Sequence, residues 1–189
     1  MTCRIFEAKQ PYIAMGAFID QSSLLVGDVE VGEESSIWPY AVLRGDVQAI
    51  RVGMKSNIQD GCVLHVTHPN ELFSDGHPLV IGNQVSINQR CSLRGCTIGD
   101  NVFIGSGSII MDDAKIESNT IIGPGSFVAS GVTVEGGNVW QGSTKLEKVR
   151  KLTKEDAGLI KITAEQYVQL KNRYLIEFQR QREREREKF

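Results

Sequence analysis

Imidazole is scarce in this 189-residue chain, whose three histidines are His65, His68 and His77. All lie in one stretch that also holds Pro69, Asp75, Gly76 and Pro78. Neutral imidazole ligates zinc, and near neutral pH it also serves as a general base. A catalytic zinc needs three protein donors and one open position for water, whose pKa the ion lowers to about 7. The four cysteines, Cys3, Cys62, Cys91 and Cys96, form no C-x-x-C pair. They read as reduced thiols of a cytosolic-type compartment. Cys62 and Cys91 read as small buried side chains in preference to zinc ligands.

The elements that must hold these groups follow a period of six. Ile19, Leu25, Val31, Ile37 and Leu43 form one run; Val52, Ile58 and Leu64 a second; Ile81, Ile87 and Leu93 a third. The fourth is unbroken: Ile98, Ile104, Ile110, Ile116, Ile122, Val128, Val134, then Trp140. Neither a helix (period 3.6) nor a half-buried strand (period 2) gives this spacing. It predicts a parallel β-helix, with three six-residue units closing a coil of about 18 residues and coils stacked roughly 4.8 Å apart. Glycine often follows the aliphatic residue, as in Val31-Gly32, Val52-Gly53 and Ile98-Gly99. It suits a corner by tolerating positive φ and close backbone approach. The register breaks mark expected loops: three extra residues between Leu43 and Val52, and the histidine-bearing insertion between Leu64 and Ile81. The step from Leu93 to Ile98 is one residue short.

The expected division is a β-helix domain over 11–145 and a C-terminal helix with charged tail over 146–189. Thr153 is a candidate N-cap, with Glu155 and Asp156 in the first turn where the helix dipole favours anions. Leu159, Ile162, Val168, Leu170, Tyr174, Leu175 and Phe178 supply an apolar stripe expected to pack on the prism and cover its last coil. The alternating charges from Arg180 to Lys188 read as a solvated helix end. Net charge is −2, so no electrostatic case exists for nucleic acid or an anionic membrane. The first residues lack the apolar run of a signal peptide, and no stretch is long enough to span a bilayer, so a cytoplasmic protein is expected.

Certain motifs carry a resemblance. Trp38-Pro39 with Leu43-Arg44-Gly45-Asp46, then Asn57-Ile58-Gln59-Asp60-Gly61 with Leu64-His65, and later Gly95-Cys96-Thr97-Ile98-Gly99, resemble the gamma-class carbonic anhydrases and their close relatives. The likeness runs over nearly the whole chain and includes Tyr167 in the C-terminal helix. It implies an all-β, left-handed parallel β-helix of hexapeptide repeats with a C-terminal α-helix. It also implies a homotrimer in which three histidines hold zinc, iron or cobalt between two subunits. His65 matches the first ligand. The other two positions hold Gln89 and Arg94, so one ligand of three remains. By the same resemblance Arg44, Asp46 and Asp60 belong to an interface network, and Asn57, Gln59 and Tyr167 stand where side chains orient solvent or substrate. Val47 and Gln48 stand where some members carry a proton-shuttling glutamate.

The replacements matter chemically. An amide oxygen is a weak zinc ligand, and a guanidinium has five donors, no acceptor and a permanent charge. A unit charge about 4 Å from a divalent ion costs roughly 8 kcal/mol at an effective dielectric of 20, close to the roughly 10–16 kcal/mol of a good zinc site. The expectation is a trimeric gamma-carbonic-anhydrase-like protein with a degenerate metal site and no cofactor, acting in binding or assembly. Arg94 would pair with an interface carboxylate or a small anion. One rival is CO2 hydration by zinc in a rearranged site. Another is acyl-CoA-dependent acyl transfer using His68 or His77 as base, with thioesterase activity a smaller alternative.

Overall fold

The computed structural model describes residues 2–69 and 75–186. Short parallel strands wind into a left-handed β-helix of about seven turns, followed by one long helix. Three stacks of strands make the three faces of a prism. The first face stacks Phe18–Ile19, Ser36–Ile37, Asn57–Ile58, Ser86–Ile87 and onward to Asn138–Gln141, all parallel. The second stacks the start of Val42–Val52 on Val63–His65, then Ser92–Arg94, Ile109–Ile110 and Phe127–Val128. The third carries the end of Val42–Val52, then Leu79–Ile81, Thr97–Ile98, Lys115–Ile116 and Thr133–Val134.

The hexad positions fill the prism. Ile98, Ile104, Ile110, Ile116, Ile122, Val128 and Val134 are all buried, as are Leu43, Ile58, Leu64 and Leu93. Each such side chain contributes roughly 1.5–3 kcal/mol of burial. The glycines after them serve close approach and not positive φ. A Cβ on Gly32 would stand 2.7 Å from the backbone of Gly53, and one on Gly53 would stand 2.5 Å from Gly82 O. The left-handed backbone falls two residues later, at Glu34, Lys55, Gln84 and Asn101.

The register breaks resolve in three ways. The extra residues after Leu43 do not leave as a loop. Val42–Val52 stays one strand, with Gly27 opposite Gly45 and Val29 opposite Ile50. Asp28 therefore faces the whole of Asp46–Ala49, a bulge that turns the corner, and Arg51 Nη1 holds its Oδ1 at 2.6 Å. Of the histidine-bearing insertion, residues 70–74 lie outside the described residues. Thr67 and His77 close its base, each N–H donating to the other's carbonyl at 3.0 Å. The short step before Ile98 turns at Gly95, φ +46°, where a Cβ would meet Asp112 Oδ1 and His77 Cβ at 2.7 Å.

Before the helix, Glu147–Lys151 pairs antiparallel with Asn138–Gln141, so the segment after 146 opens with a strand. The helix spans Lys154–Arg186. Thr153 caps it: Asp156 N–H donates to Thr153 Oγ1 at 3.2 Å, and Thr153 N–H donates to Asp156 Oδ2 at 2.8 Å, a reciprocal box. The packed side differs from the expected stripe. Ile160, Ala164 and Lys171 are buried, while Leu159 and Ile162 are 50% and 52% exposed. The helix runs back along the first face, meeting Ser86–Ile87, Ser36–Ile37 and Phe18–Ile19, and does not cover the last coil. There Tyr167 and Tyr174 stand edge-on to Trp38 at 5.4 and 5.2 Å, and Phe178 lies 5.8 Å from Phe18. Lys171, fully buried, pairs through Nζ with Glu34 Oε2 at 2.8 Å.

Candidate functional site

Parallel stacking places Arg44, His65 and Arg94 in one column on the second face, because Arg44 pairs with His65 and His65 with Arg94 in register. Neighbours in such a column are about 4.8 Å apart at the backbone. Arg44 Nη2 lies 2.8 Å from His65 Nε2, and Arg44 Nη1 pairs with Asp46 Oδ2 at 2.6 Å. His65 Nδ1 lies 3.0 Å from Arg44 O. A carbonyl only accepts and a guanidinium only donates. Those partners assign a neutral ring with Nδ1 protonated and the Nε2 lone pair occupied by Arg44.

Arg94 turns to the insertion. Its Nε donates to Thr67 Oγ1 at 3.0 Å and pairs with Asp112 Oδ2 at 3.2 Å, and Thr67 Oγ1 also donates to Asp112 Oδ1. The carboxylate expected across an interface is thus supplied by the chain itself. Gln48 adds a second tie, its Nε2 donating to Asp75 O. Each guanidinium of the column has its own carboxylate, so the four charges of Arg44, Asp46, Arg94 and Asp112 sum to zero.

A second group sits elsewhere. Asn57 and Gln59 lie on and just after the helix-covered first face, both buried. Gln59 Nε2 donates to Asn57 Oδ1 at 2.9 Å, and Asn57 Nδ2 to Ser86 Oγ at 2.8 Å. Within one chain Asp60 lies by Tyr167 and apart from Arg44, with which the resemblance groups it across an interface. Burial, with the Asp60 charge beside it, holds the Tyr167 phenol above its ordinary range. Gln89 shares a shallow corner hollow with Tyr40, Asp60, Arg90 and Ser106, and its Oε1 accepts from Ser106 Oγ at 2.8 Å. Within one chain, then, Arg44, Asp46, His65 and Arg94 form one group and Asn57, Gln59, Asp60, Gln89 and Tyr167 another. Among the described residues, Asp46 Oδ1 and Gln59 Oε1 are buried without a hydrogen-bond donor.

The donor set does not suit a tetrahedral zinc. His65 offers its lone pair to Arg44, Arg94 offers no lone pair, and Gln89 offers an amide oxygen from another part of the surface. Among the described residues, no three His, Cys, Asp or Glu side chains are grouped to hold a metal ion. His68 Nδ1 lies 2.5 Å from Pro69 O, and the His77 backbone closes the insertion. Sequence reasoning missed Asp112 and Thr67. Their only sequence signal was placement: Asp112 lies one coil after Arg94, and Thr67 two residues after His65. Among the described residues, no helix is long and apolar enough to cross a membrane.

Residues 104–136 match the family model described as bacterial transferase hexapeptide (six repeats). Protein YrdA of Escherichia coli is 41% identical over 165 residues, covering 87% of this chain and 89% of that protein. Mitochondrial gamma carbonic anhydrase 1 of Arabidopsis thaliana is 38% identical over 162 residues, 86% of this chain but 58% of the plant protein's length. Among solved structures, a hexapeptide transferase family protein from Anaplasma phagocytophilum superposes with a TM-score of 0.84 at 35% identity, covering 92% of this chain and 98% of that one.

Proposed function

Because this chain belongs to the gamma carbonic anhydrase-like family of hexapeptide-repeat proteins, we propose that it is a trimeric member whose metal site has degenerated and which acts in binding or assembly instead of zinc-dependent CO2 hydration. The observation that carries this reading is the Arg44–His65–Arg94 column. The one remaining imidazole is engaged by Arg44, and Arg94 holds the insertion through Thr67 and Asp112. Two guanidiniums stand where a metal site would concentrate lone pairs, and each is already neutralised by a carboxylate.

Assembly is supported by the division of the site residues between two parts of the surface, which a neighbouring copy would bring together. An outward stripe, Leu24, Val42, Val63, Ser92, Ile109 and Phe127, runs in register beside the charged column. Val63 and Ile109 are 46% and 43% exposed. An apolar stripe bordered by charges suits a self-complementary contact. A small anion entering this contact would compete with Asp46 and Asp112 for the guanidiniums, so protein–protein binding is the preferred role.

The test measures metal content, hydration activity and mass together on protein purified without chelator. The expected result is far less than one zinc per subunit, CO2 hydration near background and the mass of a trimer by light scattering. A stoichiometric ion on His65, at about 2.0–2.1 Å, would overturn the degenerate-site reading. A monomeric mass well above micromolar concentration would overturn the assembly reading.

A further inference from the structure

One inward column of the prism admits only small side chains: Ser23, Ala41, Cys62, Cys91, Ser108 and Ser126, all buried. The residue after each is bonded across to the next coil, as in Val42 N–H to Cys62 O, Val63 N–H to Cys91 O and Ser92 N–H to Ser108 O. Ser108 and Ser126 fill the position as hydroxyls that donate to Gly105 O and Gly123 O, each at 2.7 Å. Ser108 Oγ also reaches Gly123 O of the next coil at 3.2 Å, and the thiols make that coil-to-coil contact, Cys91 Sγ to Gly105 O at 3.2 Å and Cys62 Sγ to Asn88 O at 3.0 Å. The two cysteines occupy consecutive coils in register, each one residue before the paired Val63 and Ser92.

We propose that Cys62 and Cys91 form an oxidative modification site, a coil-to-coil dithiol that hydrogen peroxide converts to an internal disulfide. Directly opposed residues of parallel strands are about 4.8 Å apart, within the roughly 4.4–6.8 Å Cα separation of disulfides. The adjacent Cys62 side chain holds the Cys91 thiol below its usual range, and the more readily ionised thiol is the nucleophile. Cys91 thiolate attacks one peroxide oxygen, the O–O bond breaks, and hydroxide leaves to take up a proton as water. The product is Cys91 sulfenic acid. Cys62 sulfur then attacks Cys91 sulfur, the S–OH bond breaks, and a second water departs with the Cys62 proton. Two thiols and one peroxide give one disulfide and two waters. The side chains of a parallel column point the same way, so the bond is strained and readily reduced again. It would staple the coil after Asp60 to the coil after Gln89, the two corners of the same surface hollow.

Cys96 is the internal control. Burial, with the Asp112 charge beside it, pushes its thiol up to about 12, and it has no thiol neighbour in register. The experiment exposes folded full-length protein to hydrogen peroxide, blocks free thiols and maps peptides by mass spectrometry. The expected product is a Cys62–Cys91 linked peptide, two hydrogens lighter than its parts, that dithiothreitol reverses. Cys62→Ser, which copies the serines of the same column, should fold and leave a dimedone-trappable sulfenic acid on Cys91. Cys91→Ser should abolish both products. Linkage only in urea, linkage through Cys3 or Cys96, or an unreacted pair in a protein whose circular dichroism is native would each overturn the proposal.

Discussion

Arg44 and His65 hold each other twice, Nη2 to Nε2 at 2.8 Å and backbone carbonyl to Nδ1 at 3.0 Å. Together the two contacts require a neutral ring protonated on Nδ1. Nitrogen-15 NMR of the imidazole should show this tautomer near neutral pH. An Arg44→Met variant, which removes the guanidinium that donates to Nε2, should shift the population toward the Nε2-protonated form. A wild-type ring protonated on Nε2 would contradict the geometry.

The charge conflict at Arg94 makes metal binding a two-residue problem. Gln89→His with Arg94→His should restore zinc binding in the assembled protein and raise its melting temperature on metal addition, since a ligand of the folded state stabilises it. Either single change should fail: one keeps the guanidinium, the other keeps an amide. Hydration should stay low because Val47 and Gln48 supply no carboxylate shuttle. Titration calorimetry showing no zinc affinity in a folded, trimeric double variant would mean that the geometry has drifted along with the ligands.

The helix is locked by an asymmetric pair, a fully buried Lys171 and a part-exposed Glu34. Glu34→Ala leaves the buried ammonium with Asn172 Oδ1, at 2.6 Å, but no carboxylate, and should cost about 3 kcal/mol. Lys171→Met leaves a carboxylate that water can reach and should cost no more than about 1 kcal/mol. Urea unfolding followed by Trp38 fluorescence measures both, because Tyr167 and Tyr174 pack on that ring.

At the helix start, the Arg150 guanidinium and the Thr153 N–H hold the Asp156 carboxyl well below the usual carboxylate range. A depressed folded-state pKa means that this contribution is fully present above the unfolded value of about 3.9 and is lost as pH falls through the folded value. The melting temperature should therefore fall on acidification below about pH 4. Asp156→Asn, already lacking the charge, should start lower and lose less over the same interval. Parallel melting curves for the two proteins would remove the assignment.

The hexad run from Ile98 to Val134, the Thr153 cap and the register break at the histidine-bearing insertion were legible in sequence, because each depends on local spacing and residue type. A prism interior accepts one aliphatic side chain every sixth residue whatever the rest of the chain does, and a cap needs only its own turn. Partner choice depends on stacking, which spacing alone leaves open. Arg94 meets Asp112 one coil later and Thr67 one coil earlier, and Arg44 reaches His65 because Val42–Arg44 stacks in register on Val63–His65. The glycines after the hexad residues suited either positive φ or close backbone approach; the stacked coils show that close approach, and so their missing Cβ, is what matters. The helix presented apolar residues on more than one side, and the aromatic floor of Phe18 and Trp38, far away in sequence, selected the side with Tyr167, Lys171 and Tyr174. Local chemistry is written in residue order, but in a solenoid each side chain's neighbours are a full coil away, and only the wound chain brings them together.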